Sequence, residues 1–197
     1  MTAADRLAVS RGNLDVSDDP LVPTFFDWFG SPPTILVLES GDGGLCLQLA
    51  ARVTTERVLG LDRDEANVAR ARLASELIGQ ENVEFAVGDL ETANLASYGR
   101  FDAVFCVDVF GRLAAPWLLL ADAARIGDRL FVDAPYWQEA RVVEVDGHRG
   151  GFVDGSFWLT RPALLEALTT SGWAVRYLAD LSRQRSRSRL LLGCVRP

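Results

Sequence analysis

The sequence predicts a doubly wound α/β fold with a mostly parallel sheet, and three observations carry that prediction. From residue 34 onward, short β-rich runs alternate with helical patterns, the signature of strands linked by crossover helices. The strand candidates are nearly continuous apolar runs, as strands buried on both faces require. Finally, 197 residues with 49% hydrophobic and 24% charged residues suit one folded domain of ordinary size with a proper core.

Taken in order, Thr34 to Leu38, Val58 to Leu61, Val83 to Val87, Phe101 to Val107 and Asp128 to Val132 read as the strands. Helices are expected over Gly44 to Val53, Asp64 to Ile78, a short piece near Glu91 to Ser97, and Ala115 to Ile126. In the second, Ala66, Ala69, Leu73 and Leu77 form one apolar stripe, read as the core face, and Gly79 stands at the C-cap. Residues 134–157 break the rhythm. They hold an alternating stretch, Arg141 to Val145, and then Asp146-Gly147, a strong hairpin signal, so they read as an insertion beside the sheet. A helix capped by Thr160 with Pro162 in its first turn follows. Trp173 to Leu178 and Leu190 to Val195 then read as an antiparallel pair at the sheet edge. Phe25, Phe26, Trp28 and Phe29 make residues 1–33 an N-terminal segment docking on the core, and residues 34–197 the main domain.

Composition narrows the function classes. Arginine supplies all 20 positive charges against 27 acidic residues, a net charge of −7, which argues against nucleic-acid binding through bulk charge. The longest apolar run, Leu113 to Leu120, is too short to span a bilayer. Met1 to Val16 lacks a secretory apolar region, so a cytoplasmic location is expected. Cys46, Cys106 and Cys194 lie in apolar segments without metal-type spacing and read as reduced core residues; no metal site is expected.

In open parallel sheets, ligands bind outside the carboxyl ends of the strands. The first strand is followed by Glu39-Ser40-Gly41-Asp42-Gly43-Gly44, where glycines allow a tight turn and a helix N-terminus follows. The second strand ends in Asp62, suitably placed to accept hydrogen bonds from the hydroxyls of a ribose. Gly88-Asp89 follows the third, and the fourth ends at Asp108. A dinucleotide would need a third glycine where Cys46 stands, and Asp42 puts negative charge where two phosphates would lie. A nucleoside without phosphates fits better, and S-adenosylmethionine is the common one.

These residues resemble the class I S-adenosylmethionine-dependent methyltransferases over about residues 34 to 195. Ile35 to Gly44 (ILVLESGDGG) looks like the family's first motif, and Val58-Leu-Gly-Leu-Asp62 like its second, whose acid holds the ribose. Val87-Gly-Asp89 resembles the third, whose acid meets the adenine amino group. Phe101 to Phe110 resembles the fourth-strand motif, and Phe157 to Leu165 with Ser171-Gly-Trp173 the late helix-strand unit. The resemblance implies a seven-stranded sheet with helices on both faces and a C-terminal antiparallel edge strand. It implies S-adenosylmethionine as cofactor, with contacts at Glu39, Ser40, Gly41, Gly43, Asp62, Arg63, Asp89, Leu90 and Asp108. Two departures stand out: Val37 replaces the acid that helps hold the methionine amino group, and Glu39 replaces the first glycine. Either the Glu39 carboxylate has taken over that amino group or it obstructs the pocket.

For the acceptor, His148, the single histidine, follows the Asp146-Gly147 turn, and its ordinary pKa suits proton transfer. Tyr136 lies in the same segment. Both are the candidate catalytic residues, and Tyr136, Trp137, Phe152 and Trp158 are candidates to line an apolar acceptor pocket. The expected activity is methyl transfer to a small-molecule acceptor. Three readings stay open beside it: a noncatalytic subunit binding a protein partner, a methyltransferase acting on tRNA wobble uridines of the carboxymethoxyuridine type, and other nucleoside-dependent chemistry on the same fold. Arg183, Arg185, Arg187 and Arg189 read as a solvated face that discourages strand addition.

Overall fold

A computed structural model describes residues 19, 21–138, 140–181 and 188–197. The expected readings of Met1 to Val16 and of Arg183, Arg185 and Arg187 lie outside the described residues. Seven strands form one sheet, in the order Val83–Val87, Arg57–Asp62, Thr34–Leu38, Phe101–Val107, Gly127–Pro135, Arg189–Val195 and Ala174–Asp180. The chain divides into two compact units, Met1–Asp89 and Leu90–Pro197.

In the first unit, α1 (Leu21–Phe29) precedes β1 (Thr34–Leu38), α2 (Gly44–Ala50), β2 (Arg57–Asp62), α3 (Glu65–Ile78) and β3 (Val83–Val87). β1 pairs parallel with β2, Thr34 opposite Arg57, and β2 with β3, Val58 opposite Val83. Ile35 to Leu38 are all buried, as the continuous apolar run required. Phe25 anchors α1 by complete burial, with edge-to-face contacts to Phe26 and Phe29.

Helix α3 corrects the expected core face. Asp64 caps it by accepting the Ala66 amide, and Gly79 ends it in the left-handed conformation, both as its sequence signals. The buried side is Val68, Ala71, Ala74 and Ser75, while Ala66, Ala69, Leu73 and Leu77 are exposed. The cause is close approach: a Cβ on Gly43 would lie 2.8 Å from both Ala71 Cβ and Phe85 Cζ, so only small residues fit beneath the helix. Arg72 also turns toward the sheet, its Nε and Nη2 donating to the Phe85 carbonyl on edge strand β3 at 3.1 and 2.6 Å. That contact occupies an edge acceptor which would otherwise invite another strand.

In the second unit, β4 (Phe101–Val107), α4 (Pro116–Ile126) and β5 (Gly127–Pro135) form a parallel crossover. The short helix expected near Glu91 to Ser97 is a single 3-10 turn, Leu95–Tyr98, capped by Asn94. A three-stranded antiparallel sheet follows: β6 (Val143–Val145), β7 (His148–Val153) and β8 (Ser156–Leu159). Asp146 and Gly147 both take positive φ, 50° and 80°, as a two-residue hairpin turn requires. A second such turn, Asp154-Gly155, joins β7 to β8. Helix α5 (Arg161–Thr170) is capped by Thr160 as expected. β9 (Ala174–Asp180) and β10 (Arg189–Val195) complete the sheet, with β10 antiparallel to both β5 and β9. Trp173 is buried and donates its indole N–H to the Leu120 carbonyl at 3.0 Å, fixing the end of α5 on α4. No helix among the described residues is long and apolar enough to cross a membrane.

Candidate functional site

The turn after β1 has three left-handed residues in alternation: Glu39 at φ 53°, Gly41 at 57° and Gly43 at 89°. Left-handed backbone is routine for glycine and costs other residues on the order of 1 kcal/mol. Position 39 therefore asks for glycine on conformational grounds, and Glu39 holds it under strain. The turn is closed by its own backbone, with the Gly43 N–H donating to the Ser40 carbonyl at 3.1 Å. A Cβ on Gly41 would meet nothing within 4 Å, so this part of the turn is open.

Asp62 builds the turn from the neighbouring strand. Its Oδ2 accepts the Gly41 amide at 2.7 Å, and its Oδ1 accepts the Asp64 amide at 2.9 Å and Asn67 Nδ2 at 3.2 Å. The backbone joins in: Ser40 N–H donates to Leu61 O at 2.8 Å, and Gly88 N–H to Asp62 O at 3.0 Å. Asp62 is almost wholly buried, and a carboxylate is tolerable there because both of its oxygens accept hydrogen bonds. With roughly four acceptor sites on a carboxylate and three donors engaged, about one site on Oδ2 remains for a ligand hydroxyl. Ser40 is the other buried polar residue of the turn, and its Oγ has no hydrogen-bond partner. An unmet buried hydroxyl is uncommon in native folds, and Ser40 shares this condition with Thr55.

Among the other expected cofactor contacts of this unit, Arg63 and Asp89 are exposed after β2 and β3. Val37, where the resemblance expected an acid, is 1% exposed in the middle of β1. Cys46 is completely buried, and burial pushes its thiol well above the usual range.

The second unit holds the remaining candidates. Leu90 is buried. Asp108 stands just beyond β4 at φ 58°, with its side chain 53% exposed. Its Oδ1 pairs with Arg189 Nη2 at 2.5 Å. Arg189 in turn donates from Nε to Oδ1 of the fully buried Asp133 at 2.8 Å, and from Nη2 to the Asp133 carbonyl at 3.2 Å. Burial works against the charge on Arg189, but the hydrogen bonds and negative charges of Asp133 and Asp108 outweigh it and raise the pKa further. Asp133 went unremarked in the sequence, although one acid within Phe131-Val132-Asp133-Ala134 was a signal that something charged meets that strand.

The two catalytic candidates are placed apart in role. His148 lies flat on Trp117, ring centroids 4.5 Å apart at 26°, and Trp117 meets Phe157 edge-on. Tyr136 is buried; its hydroxyl donates to Asp180 Oδ2 at 3.3 Å and accepts from Gln138 Nε2 at 2.8 Å. Of the aromatic residues expected to line a pocket, Phe152 is exposed, while Trp158 is buried and donates to the Gly111 carbonyl at 3.3 Å.

Comparison with known proteins gives a consistent result. Residues 35–126 match the family described as a methyltransferase domain. The N-terminal domain of EvdMO1, solved with S-adenosylhomocysteine (SAH) bound, is 29% identical, with a TM-score of 0.77 over 91% of this chain and 82% of that one. A second structure of that domain, in the presence of SAH and D-fucose, is 28% identical over 91% and 84%, with a TM-score of 0.76. Whole EvdMO1 is 31% identical with a TM-score of 0.73; the match covers 92% of this chain but 41% of that one. No curated protein sequence matches the chain.

Proposed function

We propose that this chain, which matches a methyltransferase domain over residues 35–126 and is similar to the SAH-bound N-terminal domain of EvdMO1, binds S-adenosylmethionine at the turn after β1 and methylates a small-molecule acceptor. The observation that carries this reading is the turn itself: three left-handed residues, the middle one, Gly41, tied to Asp62, with the buried Ser40 hydroxyl unsatisfied. Bound there, the cofactor supplies an electrophilic methyl group on its sulfonium.

The chain's own residues then have separate tasks. Asp62 keeps the turn in shape and offers its last acceptor site to a ribose hydroxyl. Gly41 leaves the backbone open to the methionine part, and the Ser40 hydroxyl supplies a hydrogen bond there. The Glu39 carboxylate takes the methionine ammonium, the task for which Val37 carries no acid. Asp89 meets the adenine amino group. His148 serves the fold, docking the three-stranded sheet on Trp117, and Tyr136 is held by Asp180 and Gln138 as a packing element; neither is assigned to the chemistry, and Asp108, whose carboxylate is engaged by Arg189, is not assigned to the cofactor. EvdMO1's N-terminal domain was crystallised with SAH and D-fucose, which favours a small, hydroxyl-bearing acceptor over RNA or protein.

Isothermal titration calorimetry with S-adenosylmethionine and SAH tests this. Saturable one-to-one binding of both is expected. Absence of heat at high micromolar ligand would contradict the reading and favour a noncatalytic, protein-binding role.

A further inference from the structure

We propose that Asp108 and Arg189 form a recognition site for the vicinal hydroxyls of a neutral, sugar-like ligand. The proposal rests on the methyltransferase reading only in taking that ligand to be the acceptor. A guanidinium carries five N–H donors in a fixed fork. Arg189 spends its Nε and Nη2 donors on Asp133 and Asp108, and among the described residues its second amino group, Nη1, has no partner. Asp108 likewise binds Arg189 through Oδ1 alone, and its Oδ2 has no partner among the described residues although the side chain is 53% exposed.

The pair therefore presents one acceptor, Asp108 Oδ2, beside one donor group, Arg189 Nη1, both locked in place. Arg189 keeps only 13% of its side chain exposed and is fastened below by the fully buried Asp133. The left-handed backbone at Asp108 is likewise an uncommon conformation held by its surroundings, as at other ligand-binding positions. Adjacent hydroxyls match this pair, one donating to the carboxylate and its neighbour accepting from the guanidinium. An anion does not: two aspartates against one arginine leave the cluster net negative. The buried Asp133–Arg189 link also means that the site is rigid before its ligand arrives, which lowers the ordering cost of binding.

Vicinal hydroxyls occur both on a sugar acceptor and on the cofactor's ribose, and one experiment separates them. Binding of D-galactose, of D-galacturonate as the anionic control, and of SAH is measured on the full chain, the sugars by saturation-transfer NMR with and without SAH. The test variant is Asp108→Asn, since asparagine tolerates the left-handed backbone. D-galactose is expected to bind the wild type more tightly than D-galacturonate, and its affinity is expected to fall about tenfold in Asp108→Asn as a charge-assisted hydrogen bond is lost. SAH affinity should stay within about twofold. Equal galactose binding in both proteins would overturn the proposal, as would galactose failing to bind wild type. A parallel loss of SAH would also overturn it, by showing that the hydroxyls recognised are the cofactor's ribose. Galactose binding by a chain that takes no SAH would uphold the site and overturn the methyl-transfer reading instead.

Discussion

The carboxylate of Asp62 accepts the backbone N–H of Gly41 at 2.7 Å across 21 residues of sequence. An acid in this place would ordinarily be described by the ribose it holds, yet here three of its hydrogen bonds go to the chain itself. Shaping the turn comes first, and ligand binding follows from the shape. In Asp62→Asn, one carboxylate oxygen becomes an N–H donor facing another donor. Chemical denaturation is expected to show a loss of about 1–3 kcal/mol, the usual penalty for leaving buried groups unpaired. Calorimetry is expected to show SAH affinity falling more than tenfold. Asp89→Asn, at an exposed position, should leave stability within about 0.5 kcal/mol.

Two variants of Glu39 separate a cofactor contact from an obstruction, because the two roles predict opposite signs for Glu39→Gly. Glu39→Gln keeps the strained backbone and removes the charge, so S-adenosylmethionine binding should weaken about ten- to a hundredfold. Glu39→Gly relieves the positive φ and should raise the melting temperature while weakening cofactor binding at least as much. Tighter binding in Glu39→Gly would instead identify the side chain as an obstruction.

Restoring the family's acid at position 37 should fail. Val37 is 1% exposed in β1, and an uncompensated carboxylate there costs several kcal/mol unless it is neutralised. Val37→Asp is therefore expected to lower the melting temperature by about ten degrees, on the scale of about 2–4 °C per kcal/mol for a domain of this size. Recovery of that stability on adding SAH would show that the acid finds the methionine ammonium as its partner.

On α3, the two faces should respond oppositely. Leu73→Glu and Leu77→Glu change exposed side chains and should move stability by no more than about 0.5 kcal/mol. Ala71→Leu forces bulk against Gly43 and Phe85 and should cost about 1–3 kcal/mol as an overpacked core. Thermal unfolding of the three variants measures both.

Most of the sheet was legible because its strands are buried on both faces, so their apolar runs, such as Ile35 to Leu38, stand out without any alternation. The caps were legible too, since Asp64, Thr160 and Gly79 act through local backbone hydrogen bonds and dihedrals that their own residue types favour. The core face of α3 was not, because hydrophobicity weighs Leu73 and Leu77 above Ala71 and Ala74, whereas the close approach of Gly43 rewards small side chains. In the candidate site, Asp62 was legible from its place after β2, but its service to Gly41 was not, being a contact between distant residues. Asp133 and Arg189 are joined across 56 residues, beyond any local pattern. The stacking of His148 on Trp117 likewise depends on how the hairpin folds back, which no motif near either residue records.

The turn from Glu39 to Gly43 is the proposed place of cofactor binding. Amide chemical shifts of ¹⁵N-labelled protein during titration with SAH test it at the residues concerned. The Ser40, Gly41 and Gly43 amides are expected to shift together and saturably, and Asp62→Asn is expected to abolish those shifts. Saturable shifts confined to other residues, or none at millimolar SAH, would contradict it.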